Sequence, residues 1–354
     1  MVVERVRLYT GTERGLSVWH EGAGGWEGVG DGILAYPCRA LTGSRERPEQ
    51  VFAGVEHDGI YRTDDGGQHW AKVFDGDIWS IAIDPTDERV LYAGSAPVHL
   101  YRSEDRGERW EELTGLQELP DEVKARQIYP VPNEESHVLE VFVDPEDPAH
   151  VLLALEHGGV IRSQDRGATW EDVTTGIDYV DIHMVTKLPQ HERYYAATAR
   201  GFFSTVDPAD GWVRAENGFT RDYFYKFIVL PPAQGDPDPT MLIGTTDKSP
   251  GSYYGREGHA RAAIFRSRDQ GESWHRVGVG RGLPEVMEER AWTFVAHPHD
   301  PDAVFTGLGR YPYPQHGFDT GPGAVAVTHD RGDSWEKLAI PVKPVWGLWA
   351  APEV

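Results

Sequence analysis

The chain has 354 residues, of which 39% are apolar and 26% charged, and its formal net charge at pH 7 is −23. This composition is that of a folded protein, and the negative charge disfavours nucleic acid and anionic membranes as partners because both are repelled. The single cysteine, Cys38, excludes a disulfide framework and a cysteine metal site. The N-terminal stretch MVVERVRLYTGTERG lacks a basic segment followed by an apolar run, and no window approaches the ~20 apolar residues of a membrane span. We therefore expect a cytoplasmic protein.

One eight-residue phrase recurs along the chain. It reads TDDGGQHW at 63–70, SEDRGERW at 103–110, SQDRGATW at 163–170, SRDQGESW at 267–274 and THDRGDSW at 328–335. Two degraded copies, at 17–26 and 204–212, keep the terminal Trp and little else. The sequence is therefore a sevenfold internal repeat.

Each repeat has the same surroundings. Three short runs rich in Val, Ile, Tyr, Phe and Trp, separated by Gly, Asp and Pro turns, precede or overlap the phrase, and a fourth run follows it. This pattern predicts four antiparallel strands per repeat. Seven such repeats predict an all-β fold, a seven-bladed β-propeller, which we expect to fill residues 1–354 as a single domain.

The two ends of the chain predict how the ring closes. The tail PVWGLWAAPEV matches the pattern of a first strand, whereas the N-terminal RLYTGT matches a second strand. We expect blade 1 to combine residues of about 5–30 with an innermost strand at 344–352. Such closure removes exposed sheet edges.

The phrase resembles the Asp-box, S-x-D-x-G-x-T-W, of bacterial neuraminidase repeats, which occur in sialidases, sortilin-like receptors, xyloglucan-cleaving enzymes and photosystem assembly factors. The resemblance implies a propeller with the box between the third and fourth strands, on the face away from the ligand site. The sequence has no Phe-Arg-Ile-Pro segment such as sialidases carry, and it has one propeller where the xyloglucan-cleaving relatives join two. The resemblance therefore transfers no catalytic residue.

The chemistry of the phrase indicates a structural role. A short Asp side chain caps the backbone N–H groups of its own tight turn, Gly adopts a positive φ, and Trp packs under the sheet. We predict that five aspartates are turn locks: Asp65, Asp105, Asp165, Asp269 and Asp330.

If the phrase marks the inert face, the functional residues belong at the starts of the first strands and in the loops between second and third strands. Aligning the seven first strands gives candidate catalytic residues, namely Asp77, Glu140, Asp181 and Lys226. Glu140 and Lys226 could instead pair with each other. The same alignment and the blade 7 loop give candidate ligand-binding residues, namely Trp79, Tyr223, Tyr225, Arg290, Trp292 and Arg310.

A set of imidazoles and carboxylates indicates a possible divalent metal site. Blades 2 and 4 both place Glu-His in the turn between their second and third strands. With two histidines of the first strands, the candidate ligands are Glu56, His57, His137, Glu156, His157 and His183. Imidazole and carboxylate together suit Zn, Fe, Mn or Ni. The alternative is that each His is a hydrogen-bonded surface residue.

Three long segments depart from a minimal propeller: 117–136, 244–264 and 307–325. Loops of this length in a compact domain are usually functional or disordered. Their Tyr, Arg and His content favours a lid or wall over a central pocket.

Three functions remain open. The first is a pocket for a small molecule or sugar, used in a glycoside-hydrolase-like reaction by the carboxylates. The second is a metal-dependent enzyme or lyase that uses the histidines. The third is a non-catalytic interaction scaffold. In each case we expect a monomer. The sequence does not identify a cofactor, and the candidate is one divalent metal ion.

Overall fold

The computed structural model describes residues 5–34, 36–126, 136–233, 237–249, 260–310 and 321–353. Within these ranges the regular secondary structure is almost entirely β-strand. Two 3-10 helices, Thr114–Glu118 and Pro208–Asp210, and one α-helix, α1 (Asp121–Ala125), complete it. No helix in the described ranges has the length and apolar character needed to cross a bilayer.

The strands are short and follow one another at regular intervals. The first fourteen are β1 (Val6–Thr12), β2 (Gly15–Gly22), β3 (Gly25–Ile33), β4 (Cys38–Gly43), β5 (Val51–Val55), β6 (Gly59–Thr63), β7 (Ala71–Asp75), β8 (Ile78–Ile83), β9 (Leu91–Ser95), β10 (Leu100–Ser103), β11 (Glu111–Glu112), β12 (Val138–Val143), β13 (Val151–Leu155) and β14 (Gly159–Ser163). The next fourteen are β15 (Glu171–Asp172), β16 (Ile182–Lys187), β17 (Tyr194–Thr198), β18 (Gly201–Thr205), β19 (Val213–Arg214), β20 (Tyr223–Leu230), β21 (Thr240–Thr246), β22 (Ala263–Ser267), β23 (His275–Arg276), β24 (Arg290–Ala296), β25 (Val304–Gly309), β26 (Ala324–Thr328), β27 (Glu336–Lys337) and β28 (Val345–Pro352).

These strands form seven four-stranded antiparallel sheets, the blades of a β-propeller. Blade 1 has the order β28-β1-β2-β3, and blades 2 to 7 take four consecutive strands each, from β4–β7 to β24–β27. In blade 1, Val6 lies opposite Pro352 and Thr10 opposite Leu348. The predicted fold class is confirmed, and so is the closure by the C-terminal strand.

Burial changes across a blade, and the sequence shows why. The second strand of blade 4, β13, is the continuous apolar run VLLAL and is buried at every position, as expected for a strand covered on both faces. The fourth strand, β15, is two exposed acidic residues. A charged, very short outer strand protects the blade edge from pairing with other chains.

The residues separate into two compact units. The first comprises Met1–Val51, Thr63–Trp70 and Glu216–Val354, and the second comprises Phe52–Arg62 and Ala71–Ala215. Each unit has its own apolar clusters: one in the first unit is centred on Leu242 and Val304, and one in the second on Leu153 and Val141. The single-domain assignment stays a prediction.

The Asp-box turns have the hydrogen bonds predicted for turn locks. In the third copy, the Ser163 hydroxyl donates to Asp165 Oδ1 over 2.8 Å and accepts from the Gly167 N–H over 2.8 Å. The Thr169 N–H donates to the same carboxylate over 2.8 Å. Gly167 has φ +89°, and the Trp170 indole donates to its carbonyl over 3.0 Å. Corresponding serine or threonine, aspartate and glycine contacts recur in the other four copies.

The carboxylates of the Asp-box turns should make the stability of the fold depend on pH in the acid range. Burial acts to raise the pKa of Asp65, but hydrogen bonds from the His69 backbone and ring and from the Thr63 hydroxyl lower it to about 2. Because this pKa lies below the unfolded value of about 3.9, the carboxylate contributes stability that is fully present above that value and is lost as the pH falls towards 2. We expect the free energy of unfolding, measured with urea, to fall steeply between pH 4 and 2.5. An Asp65→Asn variant should flatten this dependence, and an unchanged slope would contradict the assignment.

The segment between blades 3 and 4 contains two of the three described helices, and the strand pattern does not predict them. Leu116 of the first 3-10 helix and Val123 of α1 are buried in the apolar cluster of the second unit. The five-residue helix α1 is too short to be stable alone. Packing against the blade therefore forms it, and residues 127–135 lie outside the described ranges.

Candidate functional site

The predicted site residues fall in both units, and each set is described by itself. In the second unit, Glu156 and His157 occupy the tight turn between β13 and β14. His157 has φ +58°, a conformation that costs a non-glycine residue energy and occurs often at functional positions. Asp181 immediately precedes β16, so the strand geometry brings it beside this turn.

Three ligand atoms meet at this place. One side-chain atom each of Glu156, His157 and Asp181 lie within 4.8 Å of one another. We call these three residues the carboxylate–imidazole group. The His157 and Asp181 side chains are 11% and 10% exposed. The group therefore places a carboxylate that is shielded from bulk water close to an imidazole that is shielded as well.

Asp181 is the member of this group with unsatisfied hydrogen-bonding capacity. Its Oδ1 is buried, and in the described ranges no donor meets hydrogen-bond geometry with it. The nearest imidazole nitrogens are His183 Nε2, 3.3 Å from Oδ1, and His157 Nε2, 3.9 Å from Oδ2. A buried carboxylate oxygen without a donor is costly, and a cation between these atoms would remove the cost.

Glu156 is oriented by a second imidazole. His137 Nδ1 lies 2.5 Å from Glu156 Oε2, and the His137 ring stacks on Trp79 with centroids 3.7 Å apart and planes inclined by 6°. The Ser136 hydroxyl also donates to the Glu156 carbonyl. These contacts fix the carboxylate on the side of His157 and Asp181.

The electrostatics keep Glu156 ionised. Burial acts to raise the pKa of its carboxyl, but the His137 hydrogen bond and charge, with smaller contributions from His183 and His157, outweigh burial and lower the pKa. An ionised carboxylate is the form in which a glutamate binds a cation.

Blade 2 carries a related arrangement that differs in one respect. His57, in the turn after Glu56, also has a positive φ of +59°. Its backbone N–H and the Trp79 indole donate to Asp77 Oδ1 over 2.8 and 2.9 Å, and its Nδ1 lies 2.7 Å from Asp77 Oδ2. Asp77 Oδ1 therefore accepts two hydrogen bonds, whereas Asp181 Oδ1 has no donor in hydrogen-bond geometry among the described residues. The Glu56 side chain is buried. The two blades therefore differ in the hydrogen bonding of the aspartate that lies beside the Glu-His turn.

The first unit holds the predicted aromatic set. Arg290 is buried, and its guanidinium carbon lies 3.9 Å from the Trp292 ring centre, 4.1 Å from that of Tyr225 and 5.2 Å from that of Tyr223. The space beside these residues is about 130 Å³ in total, less than a monosaccharide needs. The Arg310 guanidinium donates to Glu288. These residues stay ligand-binding predictions.

The two remaining catalytic candidates lie in different units. Glu140 is on β12 of the second unit and Lys226 on β20 of the first, and both are half-buried. Both keep their predicted roles as hypotheses. The predicted lid loops are described only in part, because 250–259 and 311–320 lie outside the described ranges.

Two residues beside the carboxylate–imidazole group escaped the sequence analysis as site residues. The Tyr179 ring makes an edge contact with the His157 ring, with centroids 6.5 Å apart. The Arg200 guanidinium lies over the Tyr179 ring, 4.3 Å from its centre. The spacing Tyr-x-Asp-x-His at 179–183 is the available signal, because alternate residues at the start of one strand point the same way.

Comparison with known proteins places this geometry in context. The BNR-Asp box repeat model matches residues 100–113. The xyloglucanase Xgh74A of Acetivibrio thermocellus is 24% identical over 253 residues, which cover 66% of this chain and 25% of the relative, so the chain spans about a quarter of the length of the curated relatives it matches. Among solved structures, the GH74 xyloglucanase from Xanthomonas campestris superposes with a TM-score of 0.59 at 16% identity, covering 85% of this chain and 45% of that one. YCF48 from Cyanidioschyzon merolae gives 0.53 at 14% identity, covering 89% and 95%. The chain is thus a seven-bladed β-propeller built on Asp-box repeats.

Proposed function

We propose that this propeller is a metal-dependent enzyme of the hydrolase type that acts on a carbohydrate or a similarly polar small molecule. The cation would bind Glu156, His157 and Asp181. The observation that carries the proposal is the meeting of these three side chains around a buried Asp181 oxygen that has no hydrogen-bond donor among the described residues. One imidazole and two carboxylates are a ligand set that suits Zn²⁺, Mn²⁺ or Fe²⁺.

Residues around the three candidate ligands contact them directly and would hold them in place. His137 orients Glu156 and is itself held by the Trp79 ring, and His183 lies against Asp181. Such contacts fix ligand direction and strengthen metal binding. Three protein ligands leave further coordination positions for water and substrate, the arrangement of catalytic metal sites.

The chemistry available at such a site is hydrolysis. Glu156, His157 and Asp181 would hold the cation, which would lower the pKa of a nearby water molecule and so favour hydrolysis near neutral pH. Hydrolysis would replace the bond between the scissile carbon and the leaving oxygen with a bond to the oxygen of water, and one proton of that water would pass to the leaving oxygen. Carbohydrate is the proposed substrate class because aromatic rings, Trp79 and Tyr179, flank the group, and because the matched curated relative is a xyloglucanase.

The test is metal content and metal-dependent activity. The purified protein is stripped with a chelator, dialysed against Zn²⁺, Mn²⁺, Fe²⁺ or Ni²⁺, and assayed by mass spectrometry for bound metal and by reducing-end release on xyloglucan and a panel of oligosaccharides. We expect one cation per chain and activity that disappears with the chelator and returns with the metal. Activity that survives complete removal of metal would contradict the proposal.

A further inference from the structure

The turn between β17 and β18 holds an arginine beside the carboxylate–imidazole group. Within this turn the Thr198 hydroxyl accepts from the Arg200 N–H over 3.0 Å and donates to the Gly201 carbonyl over 2.9 Å. Arg214 adds a hydrogen bond of 2.9 Å to the Arg200 carbonyl. The backbone that carries the arginine is therefore fixed from both sides.

The side chain is held by an aromatic ring. The guanidinium carbon of Arg200 lies over Tyr179, 4.3 Å from the ring centre. A cation–π contact of this kind still leaves N–H donors of the guanidinium available to a ligand. The same Tyr179 ring touches His157. A ligand at His157 is therefore one aromatic ring away from the arginine.

The neighbouring acid is already paired. Both oxygens of Asp178 lie within 3.1 Å of Arg214 Nη2, so Arg214 neutralises the carboxylate next to Tyr179. In the described ranges no carboxylate forms an ion pair with Arg200, and the residue is exposed.

The same turn occurs a second time in the chain and shows what differs here. Residues 12–15 read TERG and residues 198–201 read TARG. In the first copy the Thr12 hydroxyl again accepts from the Arg14 N–H, over 3.1 Å, but Arg14 lies 3.7 Å from the Glu13 carboxylate. Position 199 is alanine where the first copy has Glu13. Arg200 therefore has no acidic neighbour within its own turn, and its guanidinium contacts Tyr179 beside the candidate site.

We propose that the substrate of this site carries a carboxylate, as a sugar acid does, and that Arg200 binds this carboxylate while another oxygen of the substrate reaches the cation. The proposal rests on the proposed function for the position of the cation. A guanidinium recognises a carboxylate through two parallel charge-assisted hydrogen bonds. The aromatic ring between arginine and metal would lie against the body of the sugar.

The test is calorimetric titration of the metal-loaded protein with three probes: glucuronate, glucose and glucose 6-phosphate. We expect glucuronate to bind best, and Arg200→Ala to weaken its binding roughly tenfold to a hundredfold with glucose binding unchanged. Arg200→Lys should restore part of the affinity. Arg14→Ala is the matched control, because it removes the arginine of the equivalent TERG turn, which lies outside the candidate site.

The outcomes separate this inference from the proposed function. Equal binding of glucuronate and glucose, or an unchanged glucuronate affinity in Arg200→Ala, overturns the inference while the metal content of the same samples still tests the function. Tighter binding of glucose 6-phosphate than of glucuronate overturns the carboxylate assignment. Arg200-dependent glucuronate binding by a protein that takes up no metal supports anion recognition and contradicts the metal-dependent function.

Discussion

An Asp181→Asn variant is expected to lose divalent-cation binding by on the order of a hundredfold or more, with the fold retained. Replacing one carboxylate oxygen with an amide removes a charged ligand, and even partners outside the coordination sphere cost tenfold to a hundredfold when altered. The amide can also donate a hydrogen bond to the buried surroundings of Asp181. Calorimetric titration with Zn²⁺ or Mn²⁺ measures the loss, and urea unfolding checks the fold.

Two further variants make this result specific. His157→Ala should weaken cation binding as strongly as Asp181→Asn does, because it removes the imidazole of the same group. His99→Ala is the matched control, since His99 also pairs with a carboxylate, with His99 Nδ1 2.7 Å from Glu112 Oε1, but lies outside the carboxylate–imidazole group. If Asp181→Asn and His157→Ala bind the cation as tightly as the unsubstituted protein does, the assignment of the cation site is wrong.

Trp274→Ala is expected to destabilise the fold by about 3–5 kcal/mol, the range for truncating a large buried aromatic residue. Trp274 is the last residue of the fourth box and is 1% exposed. Its ring stacks on Phe219 with centroids 4.8 Å apart, so alanine leaves a cavity and removes the stacking partner. The free energy of urea unfolding measures the change.

A conservative replacement and a binding measurement accompany this variant. Trp274→Phe keeps most of the apolar volume and should cost clearly less. Cation binding should be unaffected in the fraction that stays folded, because the carboxylate–imidazole group lies in the other unit. A loss of less than about 1 kcal/mol for alanine would mean that the box tryptophan does not hold the blade together.

The repeat made the fold predictable because its decisive contacts are local. The hydroxyl of Ser163, the carboxylate of Asp165 and the N–H of Gly167 are within five positions of one another, so the sequence contains the whole turn. The closing strand was predictable from its match to the other first strands. Helix α1 was not, because its formation depends on burying Val123 against a distant apolar cluster.

The members of the candidate site could be named from the sequence, but their arrangement could not. Glu156, His157 and Asp181 were all candidates, yet Asp181 was assigned to acid–base chemistry and the first two to a metal. Ligands from different blades have no characteristic spacing in the sequence. Arg200 was not assigned to the site, because only its contact with Tyr179 distinguishes it from Arg14 in the equivalent turn of blade 1.

Closure of blade 1 by β28 has a consequence for biosynthesis. Among the described strands, β28 is the partner of the inner edge of β1, so the backbone groups of this edge lack that partner while the ribosome makes the chain from Thr12 to Val345, for on the order of tens of seconds. A nascent or stalled chain therefore presents an open template to other strands. Two chains at high local concentration could satisfy it by exchanging their last strands, so that translation speed and polysome crowding influence the yield of folded protein.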